Sequence, residues 1–530
     1  MKRYVHFFAT CKWFVCLVCI SSQLYGTPAS IRVHGDTNEL RIGWASADIT
    51  PTKPALLRGQ FHARLSENVL DPLSATALAM ESGDTRLIMI SCDVVAIPDD
   101  VRDGVRKQVT AQLPELSPTD ITLNATHTHT APVMSTDDGE TQYGIPFKWI
   151  TGGADAMTPK EYLEFMVVRI ADAAVEAWKS RRIGGVSYGL SKAVIGHNRI
   201  QVKKSGQSQM YGNTSAPDFS HIEGYEDHSL NLLYTWDKNG VLTGVLINAA
   251  VPAQVSEGLY QVSADFWAQT RALLRQEIKR DLFILPQVSS AGDQSPHIMW
   301  DTKAEERMQK LMGFEEDGIG RNSMGQRKQI ARYITDGVKA ILPFMEAHIE
   351  WTPVLAQKVE QVPLSRRLLR PQDLEEADKE SVVWRAKFDS LLNDLTIHPE
   401  KRQKQHWYRE ITIANTRANR GKNVRERYHA EQKNPKLPVE IKVIRIGDMA
   451  IATNPFELYL DYGILIKVKS PAVQTFIAQL TGGGTYLPTQ RSIDGGAYGA
   501  VPASTVFGPK GGYELVDKTV EMLHSLWPSQ

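Results

Sequence analysis

The sequence is poor in cysteine and has no excess charge of either sign. It contains 4 cysteines in 530 residues, and Cys11, Cys16 and Cys19 all fall within the first 26 residues. If that segment is removed, Cys92 alone remains, so an internal disulfide is excluded. The 60 basic and 60 acidic residues give a formal net charge of zero. Electrostatics therefore gives no reason to expect nucleic acid or an anionic membrane as the main partner.

Long apolar runs are also missing after the N-terminus. No stretch beyond residue 25 reaches the ~18 consecutive apolar residues that a transmembrane helix needs, so we expect no transmembrane segment in the mature chain. Hydrophobic residues make up 42 % of the sequence and charged residues 23 %, which are ordinary globular values. This composition argues against a disordered chain, a collagen, a coiled coil or a disulfide scaffold.

The first 26 residues have the pattern of a secretory signal peptide. Lys2 and Arg3 give a positive start, residues 13–20 form an apolar core, and residues 21–26 are polar or small. An N-terminal helix of the fold is the alternative. The pattern predicts a signal peptide over residues 1–26 and a mature chain over residues 27–530 that is exported, either to the periplasm or to the medium.

Local patterns predict an α/β fold, with an α+β fold as the variant. Apolar runs at residues 87–93, 241–250 and 282–288 predict buried strands, and residues 439–453 predict a hairpin. Residues 158–182 predict a helix that Thr158 caps and that two glycines at 184–185 end. Strands alternate with helices, so we expect one large catalytic domain with mixed sheets and outer helices. The charged residues 366–435 predict a mostly helical excursion from it.

The histidine pair in residues 124–130 (Asn-Ala-Thr-His-Thr-His-Thr) is the sharpest local feature. If residues 120–126 form a strand, period-two alternation puts His127 and His129 on one face. Two imidazoles so placed suit a divalent metal such as zinc. The alternative is a pair of hydrogen-bonded loop histidines.

A polar segment at residues 289–297 directly follows the predicted strand at 282–288, a position where sites form in α/β sheets. Ser295 lies beside Asp293 and His297, so it is a candidate nucleophile or substrate hydrogen-bonder. The alternative is a polar turn. Gln294 and Pro296 flank the serine, so the segment does not match the Gly-x-Ser-x-Gly elbow.

Two further segments carry one candidate residue each. In residues 454–457 (Asn-Pro-Phe-Glu), Asn454 and Glu457 have the spacing of a helix start with a capping acid, and the functional alternative puts the Glu457 carboxylate on a metal. In residues 481–489, three glycines allow close backbone approach and would present Tyr486 from a loop. A flexible surface connection is the alternative there.

Together these segments resemble the catalytic region of the neutral/alkaline non-lysosomal ceramidase family. Residues 124–130 are similar to the Thr-His-Thr-His segment of that family, and residues 292–296 are similar to its Gly-Asp-x-Ser-Pro segment. Residues 198–199 match its Asn-Arg pair, and residues 455–457 fall where it has Pro-Gly-Glu. Tyr486 falls near its tyrosine ligand. The resemblance does not extend to the C-terminal immunoglobulin-like domain of the family, which we expect to be absent.

The resemblance implies a single zinc ion, which the family holds with two histidines, a glutamate and a tyrosine. It puts His127, Glu457 and Tyr486 in three of these four roles. The second histidine of the family lies in a segment of the type Asn-x-Ala-x-His-Pro, whereas residues 248–254 here read Asn-Ala-Ala-Val-Pro-Ala-Gln, with no histidine near Val251. Either the metal is lost or another histidine substitutes, the candidates being His129, His228 and His297.

The resemblance also implies roles for three residues that do not bind the metal. His129 would hydrogen-bond the substrate carbonyl or the metal-bound water, Arg199 would orient the substrate, and Ser295 would match the active-site serine. The expected function is an exported zinc-dependent amide hydrolase, in which metal-activated water attacks the amide carbonyl of a neutral or amphiphilic, small or lipid-like substrate. Two alternatives remain open: a non-catalytic binding or scaffold protein that has lost its metal, and a metal-independent serine hydrolase using Ser295.

Overall fold

The computed structural model describes residues 39–137, 143–315 and 317–527. The predicted signal peptide lies outside these residues. The strands are β1 (Arg41–Asp48), β2 (Asn68–Val69), β3 (Ser74–Ser82), β4 (Thr85–Cys92), β5 (Ile121–Ala125), β6 (Arg182–Lys192), β7 (His197–Asn198), β8 (Ile200–Lys203), β9 (Ser208–Met210), β10 (Phe219–Ile222), β11 (Ser229–Asp237), β12 (Leu242–Ala249), β13 (Gln261–Val262), β14 (Phe283–Val288), β15 (Gln294–Ser295), β16 (Leu355–Ser365), β17 (Lys436–Ile446), β18 (Met449–Thr453), β19 (Glu457–Leu458), β20 (Gln474–Ala478) and β21 (Tyr486–Leu487). The α-helices are α1 (Asp99–Gln112), α2 (Phe147–Thr151), α3 (Pro159–Lys179), α4 (Phe266–Glu277), α5 (Thr302–Leu311), α6 (Met324–Glu346), α7 (Pro371–Ile397), α8 (Arg409–Lys433), α9 (Leu460–Lys469), α10 (Gln490–Gly495) and α11 (Pro509–Ser525).

Two mixed sheets form the centre of the fold. The larger has eight strands in the order β14-β12-β11-β6-β1-β3-β4-β5, in which β12–β14 and β4–β5 are parallel pairs and the others are antiparallel. The smaller has four strands in the order β16-β17-β18-β20, with β18 and β20 parallel. Helices cover both sheets, so the α/β prediction with mixed sheets and outer helices is confirmed.

Period-two alternation assigns the two faces of each central strand. In β3, Ala75 and Ala77 pack with helices α1 and α3, whereas Leu78 and Met80 belong to a second cluster that includes Phe476 of the smaller sheet. The two sheets therefore pack face to face, and α9 and α11 cover the other face of the smaller one. A buried core of this size needs no disulfide, which agrees with the single buried cysteine among the described residues.

The charged segment forms an antiparallel pair of long helices, α7 and α8, as its composition predicted. Ser381 on α7 donates to the carbonyl of Ala418 on α8 (2.9 Å), and Asp378 pairs with Arg425 (2.7 Å). The pair packs on the segments around residues 56–65 and 133–150 through a satellite apolar cluster that includes Phe388. No helix in the described part of the chain is long and apolar enough to cross a membrane.

The predicted end of the helix at residues 158–182 is wrong. Helix α3 stops at Lys179, and Gly184 and Gly185 lie inside strand β6 rather than at the helix end. Their small size serves packing instead, because a Cβ on Gly184 would lie 2.4 Å from the carbonyl oxygen of Trp236 on the neighbouring strand.

Candidate active site

The predicted site residues lie on segments that follow the carboxyl ends of strands. The backbone N–H of Ala253 donates to the carbonyl of Thr126 (3.1 Å), which joins the segments after β12 and β5. The backbone N–H of Gln479 donates to Val288 (3.1 Å), which joins the segment after β20 to the end of β14. These segments carry five of the candidate residues: His127 and His129 after β5, Ser295 after β14, Glu457 after β18 and Tyr486 after β20.

His127 is buried, and the backbone fixes the orientation of its ring. Its Nδ1 lies 2.5 Å from the carbonyl oxygen of Val95. A carbonyl can only accept, so Nδ1 carries the ring proton and donates it. The other nitrogen, Nε2, lies 3.4 Å from Oε2 of Glu457. Nε2 is therefore the ring nitrogen that faces the Glu457 carboxylate, where a bound cation or a second ring proton would join the two groups.

The histidine pair does not arise from strand alternation, which corrects the geometric argument made from the sequence. Strand β5 ends at Ala125, and His127 has a positive φ of 66°, so the period-two rule does not extend to it. The turn nevertheless brings the rings of His127 and His129 together, with centroids 5.1 Å apart.

Glu457 is not a helix-capping residue, and the helix start predicted at Asn454 is wrong. The Asn454 side chain accepts from the N–H of Phe456 in a local turn (3.1 Å), and α9 begins only at Leu460. Glu457 instead opens the two-residue strand β19, where it is the direct partner of Tyr486 on β21. Pairing with a distant segment has replaced the local hydrogen bonds of a helix start.

Arg199 joins the acidic and phenolic groups of the site. Its buried guanidinium donates through Nη2 to the Tyr486 hydroxyl (3.2 Å) and to the carbonyl of Gly292 (2.9 Å), and it lies 3.9 Å from Oε2 of Glu457. Burial alone would raise the pKa of the Glu457 carboxyl, but His127, Arg199 and Tyr486 together hold it below its ordinary value. Burial and the Glu457 charge raise the pKa of the Tyr486 phenol well above 10.

Ser295 accepts hydrogen bonds from two donors. The hydroxyl of Tyr211 donates to its Oγ (3.1 Å), and so does the backbone N–H of His297 (3.0 Å). The imidazole of His297 faces elsewhere, with its Nε2 3.3 Å from Oε1 of Glu257. A nucleophilic serine needs a base within hydrogen-bond reach, and neither of these two contacts is an imidazole nitrogen.

Asp293 links two segments of the site through hydrogen bonds rather than facing Ser295. One carboxylate oxygen accepts from the side-chain amide of Asn198 (2.9 Å), and the other accepts from the backbone N–H of Leu460 (3.0 Å). Asp293 therefore links the strand that leads to Arg199 with the helix that follows Glu457. Burial raises the pKa of its carboxyl to about 6.

The segment that lacks the expected histidine contributes Gln254 instead. Val251 is an aliphatic core residue, and the side chain of Gln254 lies between two site residues. Its Nε2 is 2.9 Å from Nε2 of His129, and its Oε1 accepts from Nη1 of Arg199 (3.3 Å). Of the three possible substitutes, His129 lies beside His127, His297 faces Glu257, and His228 belongs to a separate group with Glu226 (3.3 Å).

Three site residues escaped the sequence analysis: Tyr211, Gln254 and Glu257. Gln254 is the last residue of the segment 248–254, in which the expected histidine is missing. The sequence therefore contained a signal that pointed to this segment. Tyr211 and Glu257 lie in stretches without a recognisable motif. Only the fold brings them beside Ser295 and His129.

The imidazole of His127 and the carboxylate of Glu457 are donor types that zinc binds. Within residues 39–137, 143–315 and 317–527, no group of three or more His, Cys, Asp or Glu side chains is arranged to hold a metal ion. The candidate set is of another kind, since it consists of one imidazole, one carboxylate and one phenol. Nε2 of His127 faces Oε2 of Glu457 at 3.4 Å, and Tyr486 is the strand partner of Glu457, so these three residues would be the ones to hold a metal ion. The N–H···O contact at Nδ1 is the orienting bond that metal-binding histidines commonly make.

Comparisons with known proteins establish the fold. No protein-family model matches the sequence, and no curated protein matches it. The solved structure of neutral ceramidase from Pseudomonas aeruginosa is similar over 92 % of this chain and 74 % of that chain, with a TM-score of 0.63 and 14 % identity. A structure described as ceramidase complexed with C2 is similar over 92 % and 75 %, with a TM-score of 0.61 and 16 % identity. At these identities the likeness shows a shared fold, and the resemblance seen in the sequence is confirmed at that level.

Proposed function

We propose that this chain is an exported, zinc-dependent hydrolase that cleaves the amide bond of a neutral or amphiphilic, lipid-like substrate. The observation that carries this proposal is the meeting of His127, Glu457 and Tyr486 around Arg199, at converging strand ends, in a fold that solved ceramidase structures share. Export rests on the pattern of residues 1–26 alone.

His127, Glu457 and Tyr486 would hold the zinc ion. Bound there, zinc would polarise a carbonyl group and make a water molecule more acidic. Arg199 supplies a fixed positive charge in a buried environment, where charge developing on a carbonyl oxygen is stabilised strongly. Its contacts to Tyr211 and Tyr486 hold the guanidinium in place before substrate arrives.

The hydrogen-bond network also supports a role for His129. Arg199 can only donate, so it fixes Oε1 of Gln254 toward itself and turns the amide NH₂ toward Nε2 of His129. A ring nitrogen that accepts from an amide carries no proton, so the proton of His129 is on Nδ1. Nε2 is then an acceptor, so a water molecule could donate to it only by taking the place of the Gln254 amide, and a substrate carbonyl, itself an acceptor, could not bond to it.

The surroundings of Tyr486 suit an amphiphilic substrate. Its ring packs edge-on against Tyr498 (centroids 5.9 Å apart), and Tyr498 packs edge-on against Phe61 (6.0 Å). Tyr498 and Phe61 also line a cavity of about 320 Å³, whose wall carries Arg417 and Arg420 of helix α8 and the carboxylates Asp373, Glu376 and Glu380 of helix α7. Aromatic faces beside guanidinium groups can accommodate a molecule with an apolar chain and a polar head.

Metal analysis with activity measurements tests the proposal. The purified mature protein should carry one zinc per chain and hydrolyse at least one member of a panel of N-acyl amides that includes short- and long-chain ceramides. Chelation should abolish turnover, and added zinc should restore it. A protein without metal and without hydrolysis would be the binding protein of the first alternative. Hydrolysis that survives chelation but is lost in Ser295→Ala would establish the serine hydrolase.

Gly292→Ala should damage the site without damaging the core. A Cβ at residue 292 would lie 2.3 Å from the carbonyl oxygen of Glu457, so strand β19 must shift and carry the carboxylate with it. We expect zinc affinity to fall by about 10-fold or more, the scale for disturbed ligand orientation. The unfolding temperature should change little. Gly104→Ala on helix α1 is the matched control, because its Cβ would meet only side-chain atoms of Val167, the closest at 3.3 Å. Equal zinc affinity in both variants would contradict the prediction.

A further inference from the structure

The cavity beside Tyr498 is bounded by helices α7 and α8 and by residues 498–503, which follow helix α10. The two helices touch at this cavity, since a Cβ on Gly421 would lie 2.4 Å from the carbonyl oxygen of Ala377. Its volume of about 320 Å³ is near the lower end of the about 300–1,000 Å³ typical of small-molecule sites. The cavity is therefore large enough for one polar end of an amphiphile and too small for a whole long-chain lipid.

Charges of opposite sign face each other across this cavity. Helix α7 contributes Glu376 and Glu380, and helix α8 contributes Arg417 and Arg420. Spacings of four and three residues place each pair on one face of its helix. Across the cavity, Nη1 of Arg417 stays 3.8 Å from Oε1 of Glu380, which is beyond hydrogen-bond distance.

Other charged groups of the same two helices are paired more tightly. Asp373, the third carboxylate in the cavity wall, lies 3.0 Å from Nη2 of Arg370 and is neutralised there. Where no cavity intervenes, Asp378 of α7 lies 2.7 Å from Arg425 of α8. The four charges that face each other across the cavity thus keep bonding capacity that a ligand can use.

Aromatic rings hold both guanidinium groups at the cavity wall. The guanidinium carbon of Arg420 lies 5.3 Å from the ring centre of Phe61, and its Nη2 donates to the Ser504 hydroxyl (3.0 Å). The guanidinium carbon of Arg417 lies 5.7 Å from Phe61 and 4.8 Å from Trp384. Its Nε is buried without a hydrogen-bond partner among the described residues. Stacking orients a guanidinium without using its N–H donors, so these donors are available to an anionic group.

One aromatic residue separates the cavity from the candidate metal site. The ring of Tyr498 lies 5.4 Å from the guanidinium carbon of Arg420 and packs edge-on against Tyr486 (centroids 5.9 Å apart). The same segment is bonded to Tyr486, because the Thr505 hydroxyl donates to its carbonyl (2.8 Å). A substrate whose amide lies at the metal site can therefore place a nearby polar end in the cavity.

We propose that the cavity is a subsite for the polar end of the substrate, and that this end is zwitterionic: a phosphate or carboxylate group pairs with Arg417 and Arg420, and an ammonium group pairs with Glu376 and Glu380. The inference rests on the proposed function and narrows its substrate class. A purely anionic end would face two carboxylates, and a purely cationic end would face two guanidinium groups. A zwitterion meets both rows with charge-assisted hydrogen bonds or ion pairs and keeps the substrate neutral overall.

Calorimetric titration of phosphocholine and of glycine betaine into the zinc-loaded protein tests the inference, because the two probes join an ammonium group to a phosphate or to a carboxylate. At least one should bind about 10-fold more tightly than choline or inorganic phosphate alone, and the tighter one identifies the anionic group. Arg417→Gln should weaken that binding by about 10-fold or more, the scale of a charge-assisted hydrogen bond, and Glu376→Gln should weaken it as well. Arg425→Gln is the matched control, since it removes a guanidinium of the same helix that is paired with Asp378, and it should bind like the wild type.

Hydrolysis measurements separate this inference from the proposed function. Two N-acyl amides with the same acyl chain are compared, one ending in the tighter-binding zwitterion and one ending in a hydroxyl group. The preference for the first, as a ratio of kcat/KM values, should fall about 10-fold in Arg417→Gln and persist in Arg425→Gln. Equal preference and equal probe binding in wild type and Arg417→Gln would overturn the subsite, although the hydrolase would stand. Probe binding that depends on Arg417, in a protein that cleaves no amide, would support the binding site and contradict the proposed function.

Discussion

His127→Ala is expected to lose both bound zinc and amide hydrolysis, whereas His129→Ala keeps most of its zinc and loses activity by about 10²–10³-fold. The difference follows from which ring nitrogens are engaged. Val95 fixes Nδ1 of His127, so Nε2 faces Glu457 and can bind the metal. In His129 the two nitrogens face Gln254 and Glu257 instead, so neither is directed at Glu457.

Zinc content and turnover, measured on the same preparations, decide between these roles. His221→Ala serves as the control, because His221 is an exposed histidine whose Nδ1 lies 3.0 Å from the hydroxyl of neighbouring Ser220. If His129→Ala loses zinc as completely as His127→Ala, then His129 has taken the place of the missing histidine ligand and the division of roles is wrong. If neither variant differs from the His221 control, the catalytic interpretation fails and the binding-protein alternative replaces it.

The strands with continuous apolar runs were predictable because burial on both faces leaves a strong local signal. Strands β4 and β14 lie within or close to the predicted ranges. Strand β3 was missed, although it is central and buried, because its sequence Ser-Ala-Thr-Ala-Leu-Ala-Met-Glu-Ser is rich in alanine, which has low strand propensity. Those alanines are needed where helix α3 packs on the sheet. The need for small side chains here comes from tertiary packing, which local strand propensity does not reflect.

The candidate site was predictable only in part, for the same reason. The histidine pair and the segment around Ser295 are visible in the sequence as local patterns. The sequence around Glu457 resembles a helix start. Its pairing with Tyr486, which is distant in the sequence, produces no local sequence pattern. Gln254 meets His129 across 125 residues of sequence, and no spacing rule reaches that far. Residues that act through such contacts become evident only when the strand ends are seen to converge.

Glu457→Gln is expected to give a folded protein that has lost most of its zinc and, with it, most of its activity. The local fold depends on the backbone here: the N–H of Glu457 donates to Thr485 (3.2 Å), and the N–H of Leu458 donates to Oε1 of Gln479 (3.0 Å). Neither bond involves the carboxylate. Glutamine keeps the shape and one acceptor oxygen but removes the negative charge, so zinc affinity should fall by about 10–100-fold or more.

Titration of zinc into the metal-free variant, together with thermal unfolding, checks this expectation. Glu440→Gln is a suitable comparison, because it removes a carboxylate from the ion pair with Arg106 (2.7 Å), whose side chain also donates to the carbonyl at the beginning of strand β5. That variant should lose stability and keep its zinc affinity, which is the reverse of the pattern expected for Glu457→Gln. If Glu457→Gln binds zinc like the wild type, Glu457 is not a metal ligand. It is not a helix-capping residue either, because no helix begins at Asn454. The carboxylate would then serve to neutralise Arg199 and to pair with Tyr486, and the metal would have to be sought among other residues.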